Sequence, residues 1–335
     1  MLEKASRPQE FKAMSLNRKL KYSLAINEAL SQMMEKNPEV FLLGQGVKSA
    51  WYVGNTCQGL LEKFGEKRVI DTPLSENAIT AIAAGSAIVG MRPVVAHPRM
   101  DFMVLGSDAV INQIANWSYM FGGESFVPIV IWAIINRKGE QGAQHSQALQ
   151  STFAHIPGLK VVMPSGPNSA KGLLISAIKD DNPVLFIDNR ELYDSEDFVP
   201  EEIYETKIGK AVIKKQGSRA TVVAISHMVG QVLSAVEDID VEVIDLLSIK
   251  PWDKDLVFES VKKTGRLIVV DEAWNDFGIA AEIIASVAEK GLLKSAPRRL
   301  CLPNAPAPSA ESLEKEYYLN KEKIKYAVQS AVRSL

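Results

Sequence analysis

The chain has 335 residues, of which 47% are hydrophobic and 23% charged, with a formal net charge of -2. That length accommodates two domains with a substantial core, and the near balance of charge offers no field for nucleic acid or an anionic membrane surface. Apolar runs such as Phe126 to Ile135 are too short to span a bilayer, the first residues lack a signal-peptide apolar segment, and Cys57 and Cys301 stand alone, so a cytoplasmic protein with plain thiols and neither disulfide nor zinc site is expected.

In chain order, residues 1–16 are polar and mixed and are expected to form a flexible tail. From Asn17 to Lys36, Leu20, Leu24, Ile26, Ala29, Leu30 and Met33 recur at helix-like spacing, which predicts an amphipathic helix. Short β-rich runs follow at 40–43, 69–70, 93–95, 128–132, 160–162 and 184–187, most of them separated by helix-compatible stretches. That alternation predicts a parallel sheet covered by helices. The acidic, proline-containing stretch from Asp194 to Glu202 has no clear periodicity. It divides the chain into a first domain over 17–195, a linker over 196–210 and a smaller three-layer α/β domain over 211–335. In the second domain, strands are expected at 220–225, 241–246 and 266–270, with helices around 229–236 and 280–290. Pro303, Pro306 and Pro308 mark a turn-rich crossing before a final helix.

One carboxylate stands out. Glu76 follows the run Arg68-Val69-Ile70-Asp71 and the turn Thr72-Pro73-Leu74-Ser75, and it opens a helix of small and apolar residues reaching Gly90. Apolar surroundings disfavour a charged carboxylate, whereas a helix start with Ser75 as N-cap favours one, and such opposed effects are typical of acid–base groups. An exposed first-turn Glu that only complements the helix dipole remains the alternative. Position favours function, since in open parallel sheets the ligand crevice lies beyond the carboxyl ends of the strands. A nucleotide site of the common kinds is disfavoured: Gly44-Gln45-Gly46 lacks the third glycine of one phosphate loop and the Gly-Lys of the other.

Several separated motifs carry a resemblance. Asp71-Thr72-Pro73-Leu74-Ser75-Glu76, Gly90-Met91-Arg92-Pro93, Asp108 to Gln113 and Tyr119 to Gly123 are followed by Gln144-His145-Ser146-Gln147, Pro157 to Val162 and Asp181-Asn182-Pro183-Val184. In this order, from about residue 20 onward, they resemble the β subunit of thiamine-diphosphate-dependent 2-oxo acid dehydrogenases. The resemblance implies a pyrimidine-binding domain followed by a transketolase C-terminal-like domain. It also implies an α subunit, in a heterotetramer of two α and two β subunits. The signature that holds Mg2+ and the cofactor diphosphate belongs to that α subunit and does not occur here.

On the family pattern, Glu76 hydrogen-bonds a pyrimidine nitrogen of thiamine diphosphate and stabilises the imino form that acts as internal base. Phe102 stacks on the aminopyrimidine, Leu74 forms an apolar wall, and His145 lies near the 2-oxo acid or the incoming lipoyl group. On the residues alone, Phe102 reads as ordinary core in preference to a stacking residue, and His155 and His227 read as structural. The backbone carbonyls of Ile129, Ala177, Asp180 and Asn182 match a structural K+ site in relatives. Three departures concern the pocket: Gln45 replaces an acid, Leu105 replaces a common Gln, and His97-Pro98-Arg99-Met100-Asp101 replaces a more apolar, Thr/Asn-containing stretch. His97 and Arg99 therefore suggest a more polar or anionic substrate than pyruvate, an arginine offering an acid group a fixed fork of donors. Asp271-Glu272-Ala273-Trp274 and Phe277-Gly278 are expected to serve assembly, including the docking of a lipoyl acyltransferase. A split transketolase, a non-oxidative decarboxylase and a silent assembly subunit are the alternatives.

Overall fold

The computed structural model describes residues 18–49 and 52–333, so the expected tail lies outside the described residues. The first half runs β1 (Lys19–Lys21), α1 (Tyr22–Lys36), β2 (Val40–Gly44), α2 (Leu60–Phe64), β3 (Val69–Asp71), α3 (Glu76–Ile88), β4 (Arg92–His97) and α4 (Met100–Met103). It continues through α5 (Trp117–Met120), β5 (Val130–Ile135), α6 (Gln150–Ala154), β6 (Lys160–Val162), α7 (Pro167–Lys179) and β7 (Val184–Asn189). The second half runs β8 (Glu196–Phe198), β9 (Val212–Lys215), β10 (Thr221–Ala224), α8 (Met228–Ala235), β11 (Glu242–Asp245), β12 (Ser248–Lys250) and α9 (Lys254–Thr264). It closes with β13 (Leu267–Trp274), α10 (Ile279–Glu289), β14 (Arg298–Leu302), α11 (Glu311–Tyr317) and α12 (Lys321–Arg333).

Among the described residues, the first sheet has the order β12-β6-β7-β5-β4-β2-β3, parallel except for β12. Its central strand β5, Val-Ile-Trp-Ala-Ile-Ile, is buried along its whole length, as expected of a strand covered by helices on both faces. On one face α1 packs against α7, presenting Tyr22, Ala25, Ile26, Ala29, Leu30 and Met33 at helical spacing. Each fully buried Leu or Ile there contributes about 1.5–3 kcal/mol relative to exposure. The helix begins later than the periodicity predicts, because Lys19–Lys21 instead pair antiparallel with β8, Lys19 opposite Phe198. That same pairing turns the first residues of the expected linker into a strand.

The second sheet has the order β14-β13-β10-β11-β9, with β9 antiparallel at one edge. Strand β12, which follows β11 in the second half, crosses back to pair with β6. Met163 and Val161 of the first half share one core with Ile225, Leu246 and Ile249 of the second. No helix among the described residues is long and apolar enough to cross a membrane.

The strand order places the crevice. From β2 the chain goes to β3 on one side and then, through α3, to β4 on the other, so the connections diverge beyond the carboxyl ends of β2 and β4. There Gly44 stands opposite Ala96, and a Cβ at Gly44 would lie 2.4 Å from the Ala96 carbonyl oxygen.

Candidate active site

Glu76 is the first residue of α3 and is 8% exposed. Ser75 holds the N-cap position, but its hydroxyl makes no capping bond, which corrects that expectation; its carbonyl accepts from the Ile79 N–H instead. Gln45, one residue past β2, donates Nε2 to Glu76 Oε1 at 2.8 Å, and Oε2 has no protein partner among the described residues. An amide N–H suits a carboxylate oxygen, whereas a second acid at 45 would have brought two acceptors together. The turn ahead of Glu76 is tied to β2 as well: Asp71 Oδ1 accepts from the Gly46 N–H at 2.5 Å, and the Thr72 N–H reaches the Gly44 carbonyl at 3.1 Å.

Behind Glu76 the packing is closed. The Thr80 hydroxyl donates to the Glu76 carbonyl at 2.7 Å and lies 3.2 Å from His97 Nε2. A Cβ at Gly106 would sit 2.8 Å from Thr80 Oγ1, so glycine is what lets the 104–106 turn close on α3. With the Thr80 hydrogen committed to that carbonyl, His97 Nε2–H is the donor, and Nδ1 is buried without a partner among the described residues. Burial pushes the His97 imidazole down to about 4, against the pull of Glu76. His97 is 0% exposed. The imidazole, expected as a substrate contact, lies behind Glu76 with α3 covering the ring through Thr80.

Phe102, on the short helix α4, is 39% exposed, and its ring meets His145 edge-on with centroids 5.2 Å apart and planes at 87°. The loop that carries His145 is fastened to α4. Asp101 Oδ1 accepts from the backbone N–H and the side-chain Nε2 of Gln147 at 3.1 and 2.9 Å. Burial holds the Asp101 carboxyl above its ordinary value, with the two Gln147 bonds working against that. Leu74 stands 82% exposed at the end of the β3–α3 turn. Arg99 donates to the Pro98 carbonyl at 2.7 Å and to Gln141 Oε1 at 3.5 Å, and among the described residues it makes no ion pair with Asp101. His155 is exposed beside Trp252 and Trp274 in a separate groove of about 1050 Å³, while His227 is largely buried, 3.9 Å from Glu191.

Sequence reasoning missed the lock that holds the His145 loop to the second half of the chain. Arg137, just past β5, donates Nη1 to Glu272 Oε2 at 3.4 Å, Nη2 to the Glu272 carbonyl, and Nε to the Ser146 carbonyl at 3.3 Å. Asn189 Nδ2 donates to Glu272 Oε1 at 2.7 Å, and Gln150 Nε2 to Asp271 Oδ1 at 2.8 Å. The only signal available was position, since Arg137 and Asn189 lie where two neighbouring strands end.

No group of three or more His, Cys, Asp or Glu side chains converges among the described residues. At the turn matched to a K+ site, the Ile129 carbonyl accepts from Val184 at 3.0 Å, the Ala177 carbonyl from Asp180 at 3.4 Å, and the Asp180 carbonyl from Arg92 at 3.2 Å. A carbonyl oxygen has two lone pairs, so each keeps one for a hard cation.

Comparison with known proteins gives three findings. Residues 18–196 match the transketolase pyrimidine-binding domain family, and residues 209–324 match the transketolase C-terminal domain family. The chain is 42% identical to the acetoin:2,6-dichlorophenolindophenol oxidoreductase subunit beta of Cupriavidus necator, covering 94% of this chain and 98% of the relative. It is 39% identical to the pyruvate dehydrogenase E1 component subunit beta of Rickettsia felis, covering 87% and 91%. Among solved structures, a split-gene transketolase described as an inactive beta4 tetramer superposes with a TM-score of 0.77 at 21% identity, over 92% of this chain and 97% of that one. That likeness shows the fold.

Proposed function

We propose, since the chain belongs to the family of β subunits of thiamine-diphosphate-dependent 2-oxo acid dehydrogenases, that it forms the pyrimidine half of an active site completed by an α subunit. The assembled enzyme decarboxylates a 2-oxo acid and passes the acyl group to lipoamide on a lipoyl acyltransferase. The observation that carries this is Glu76, a nearly buried carboxylate with one oxygen held by Gln45 and the other unengaged, at the switch point of the sheet.

The residues present suit a thiamine pyrimidine. Glu76 Oε2 is an acceptor for a ring N–H, and the half-exposed Phe102 offers a flat apolar face. Bound thiamine diphosphate supplies the nucleophilic carbon and the electron sink for decarboxylation. Glu76 holds and releases one proton at Oε2, Gln45 keeps its carboxylate oriented, and Thr80 fixes the backbone on which it stands. His145, braced by Phe102 and its tethered loop, is placed to exchange a proton with substrate or the lipoyl group. Mg2+ belongs with the α subunit, and K+ with the carbonyls of Ile129, Ala177, Asp180 and Asn182.

Partner binding has its own support. Leu74 in the turn before α3, Ile82 within it and Val89 just past its end, with Leu105, Tyr119 and Phe121, are exposed apolar side chains on this half of the molecule. A helix apolar all round is normally covered, and the α subunit is the cover. The cytoplasmic setting is kept as part of the proposal.

The test co-expresses the chain with its α subunit and follows carbon dioxide release from a panel of 2-oxo acids together with lipoyl acylation. Glu76→Gln is expected to lower turnover by about 100-fold or more while thiamine diphosphate still binds. Full turnover in that variant, or no decarboxylation of any 2-oxo acid, would refute the assignment. Cleavage of acetoin without carbon dioxide release would favour the second reading, a 2-hydroxy ketone as substrate, which the 42% identity to an acetoin oxidoreductase subunit supports.

A further inference from the structure

We propose that Arg99 and Arg190 form an anion-binding subsite, one that takes a second acidic group, carboxylate or phosphate, on the 2-oxo acid. This rests on the function proposed above and names the class of substrate.

The two arginines leave neighbouring strands of one sheet, Arg99 just past β4 and Arg190 just past β7, with β5 between them. A chain of amides joins them. Arg190 Nη1 donates to Asn136 Oδ1 at 3.1 Å, Asn136 Nδ2 donates to Gln141 Oε1 at 2.8 Å, and Arg99 Nη2 reaches that same oxygen at 3.5 Å. Every acceptor in the chain is neutral. Among the described residues neither arginine makes an ion pair, in contrast to Arg137, Arg92 and Arg18, each of which has a carboxylate.

The Asp101 carboxylate attracts Arg99 without forming an ion pair among the described residues: its Oδ1 is taken up by Gln147, and its Oδ2 is buried without a hydrogen-bond partner. Among the described residues Arg99 Nε is enclosed without any acceptor, and Arg190 spends one N–H on Asn136 while the rest of its fork has no acceptor. Two guanidinium groups near each other repel, and Arg190 pushes Arg99 down from its ordinary value, second to burial and ahead of the opposing pull of Asp101. An oxyanion between them would relieve that repulsion and fill the open donors.

The location points to substrate. Arg99 begins the turn that carries Phe102, its carbonyl accepting from the Phe102 N–H at 3.2 Å. Gln141 lies in the loop that ends at His145, where the His145 N–H reaches Gly142 O at 3.4 Å. Arg99 and the bridging Gln141 thus share their elements with the ring and the imidazole assigned to the reaction, and a substrate held by its keto end there would extend its far end toward the arginines.

The experiment measures kcat/KM of the assembled enzyme for 2-oxoglutarate, its phosphonate analogue, and 2-oxovalerate, which has the same chain length and one acid group fewer. Wild type should favour one of the two dianions by at least about tenfold, and which one identifies the anion. In Arg190→Gln the ratio of dianion to monoanion should fall about 10- to 100-fold, and Arg190→Lys should recover part of it. A wild-type preference for 2-oxovalerate, or an equal loss on all three substrates in Arg190→Gln, overturns the proposal. So does weaker thiamine diphosphate binding in Arg190→Gln with an unchanged ratio, because the arginines would then hold the cofactor diphosphate. If the assembled enzyme turns over no 2-oxo acid, the function above fails, and calorimetric titration with inorganic phosphate decides this point separately. Saturable binding that Arg190→Gln abolishes sustains an anion site; absence of binding in wild type removes it.

Discussion

His97 shows how a single side chain can support a site without entering it. Its imidazole lies fully buried against Thr80, whose hydroxyl holds the backbone of Glu76. Its value is pushed from 6.5 to about 4 by burial. A folded value below the unfolded one means that the unfolded chain takes up the proton first as pH falls. The stability of the neutral form is therefore complete above about pH 6.5 and is lost progressively down to about pH 4, by about 3 kcal/mol. Denaturant unfolding should show wild type losing that much relative to His97→Phe as pH falls across the window, the opposite titration of Asp188 being common to both. An identical slope in the variant would mean that another group titrates there. Gln45 shows the converse: in the chain it reads as the loss of an acid, and in the fold it donates to the Glu76 carboxylate from 31 positions away.

The loop 137–149 is the element on which the two halves of the site meet. Arg137 and Glu272 are both almost completely buried, at 5% and 1% side-chain exposure, and Asn189 satisfies the other carboxylate oxygen. Removing one partner of such a pair strands a buried charge, which costs about 3–5 kcal/mol. Arg137→Met should lose that much stability to denaturant, and hydrogen exchange over 142–150 should rise, because the Ser146 carbonyl also loses its donor. Unchanged exchange in a destabilised variant would show that Asp101 and Gln147 hold the loop without help. Asp271 and Glu272 were expected to serve assembly between chains, yet within this chain they bind the first half to the second. Nothing in the local pattern Val-Val-Asp-Glu-Ala-Trp shows which loop will pack on it.

Across the fold as a unit, both halves share one core, and β12 of the second half extends the first sheet. They are therefore expected to unfold together. Buried acids set the pH at which they do so. Asp188 lies between Tyr193 Oη at 2.6 Å and Trp132 Nε1 at 3.3 Å, with Oδ1 unpartnered among the described residues, and burial pushes it from 3.8 up to about 7. A folded value above the unfolded one gives stability that is complete below about pH 3.8 and is lost as pH rises through about 7. The loss is on the order of 4 kcal/mol. Asp188→Asn, which cannot ionise, should therefore gain more over wild type at pH 8 than at pH 5 in thermal unfolding. An equal difference at both values would rule out this titration.

The parallel α/β architecture, the position of Glu76 at a strand's carboxyl end and the family resemblance were all legible in the chain, because hydrophobic period, turn chemistry and short motifs are local properties. The strands 212–215, 248–250 and 298–302 were not, since short or half-exposed segments lack a distinctive period and are set by the neighbour they pair with. Nor could local pattern reveal that Gln45 serves Glu76, that Arg137 ties the His145 loop to Glu272, that His97 is sealed away, or that Arg99 and Arg190 stand together without an ion pair among the described residues. Each of those depends on which strand ends the sheet order brings side by side. Strand order is decided by long-range packing, to which no short window of residues has access.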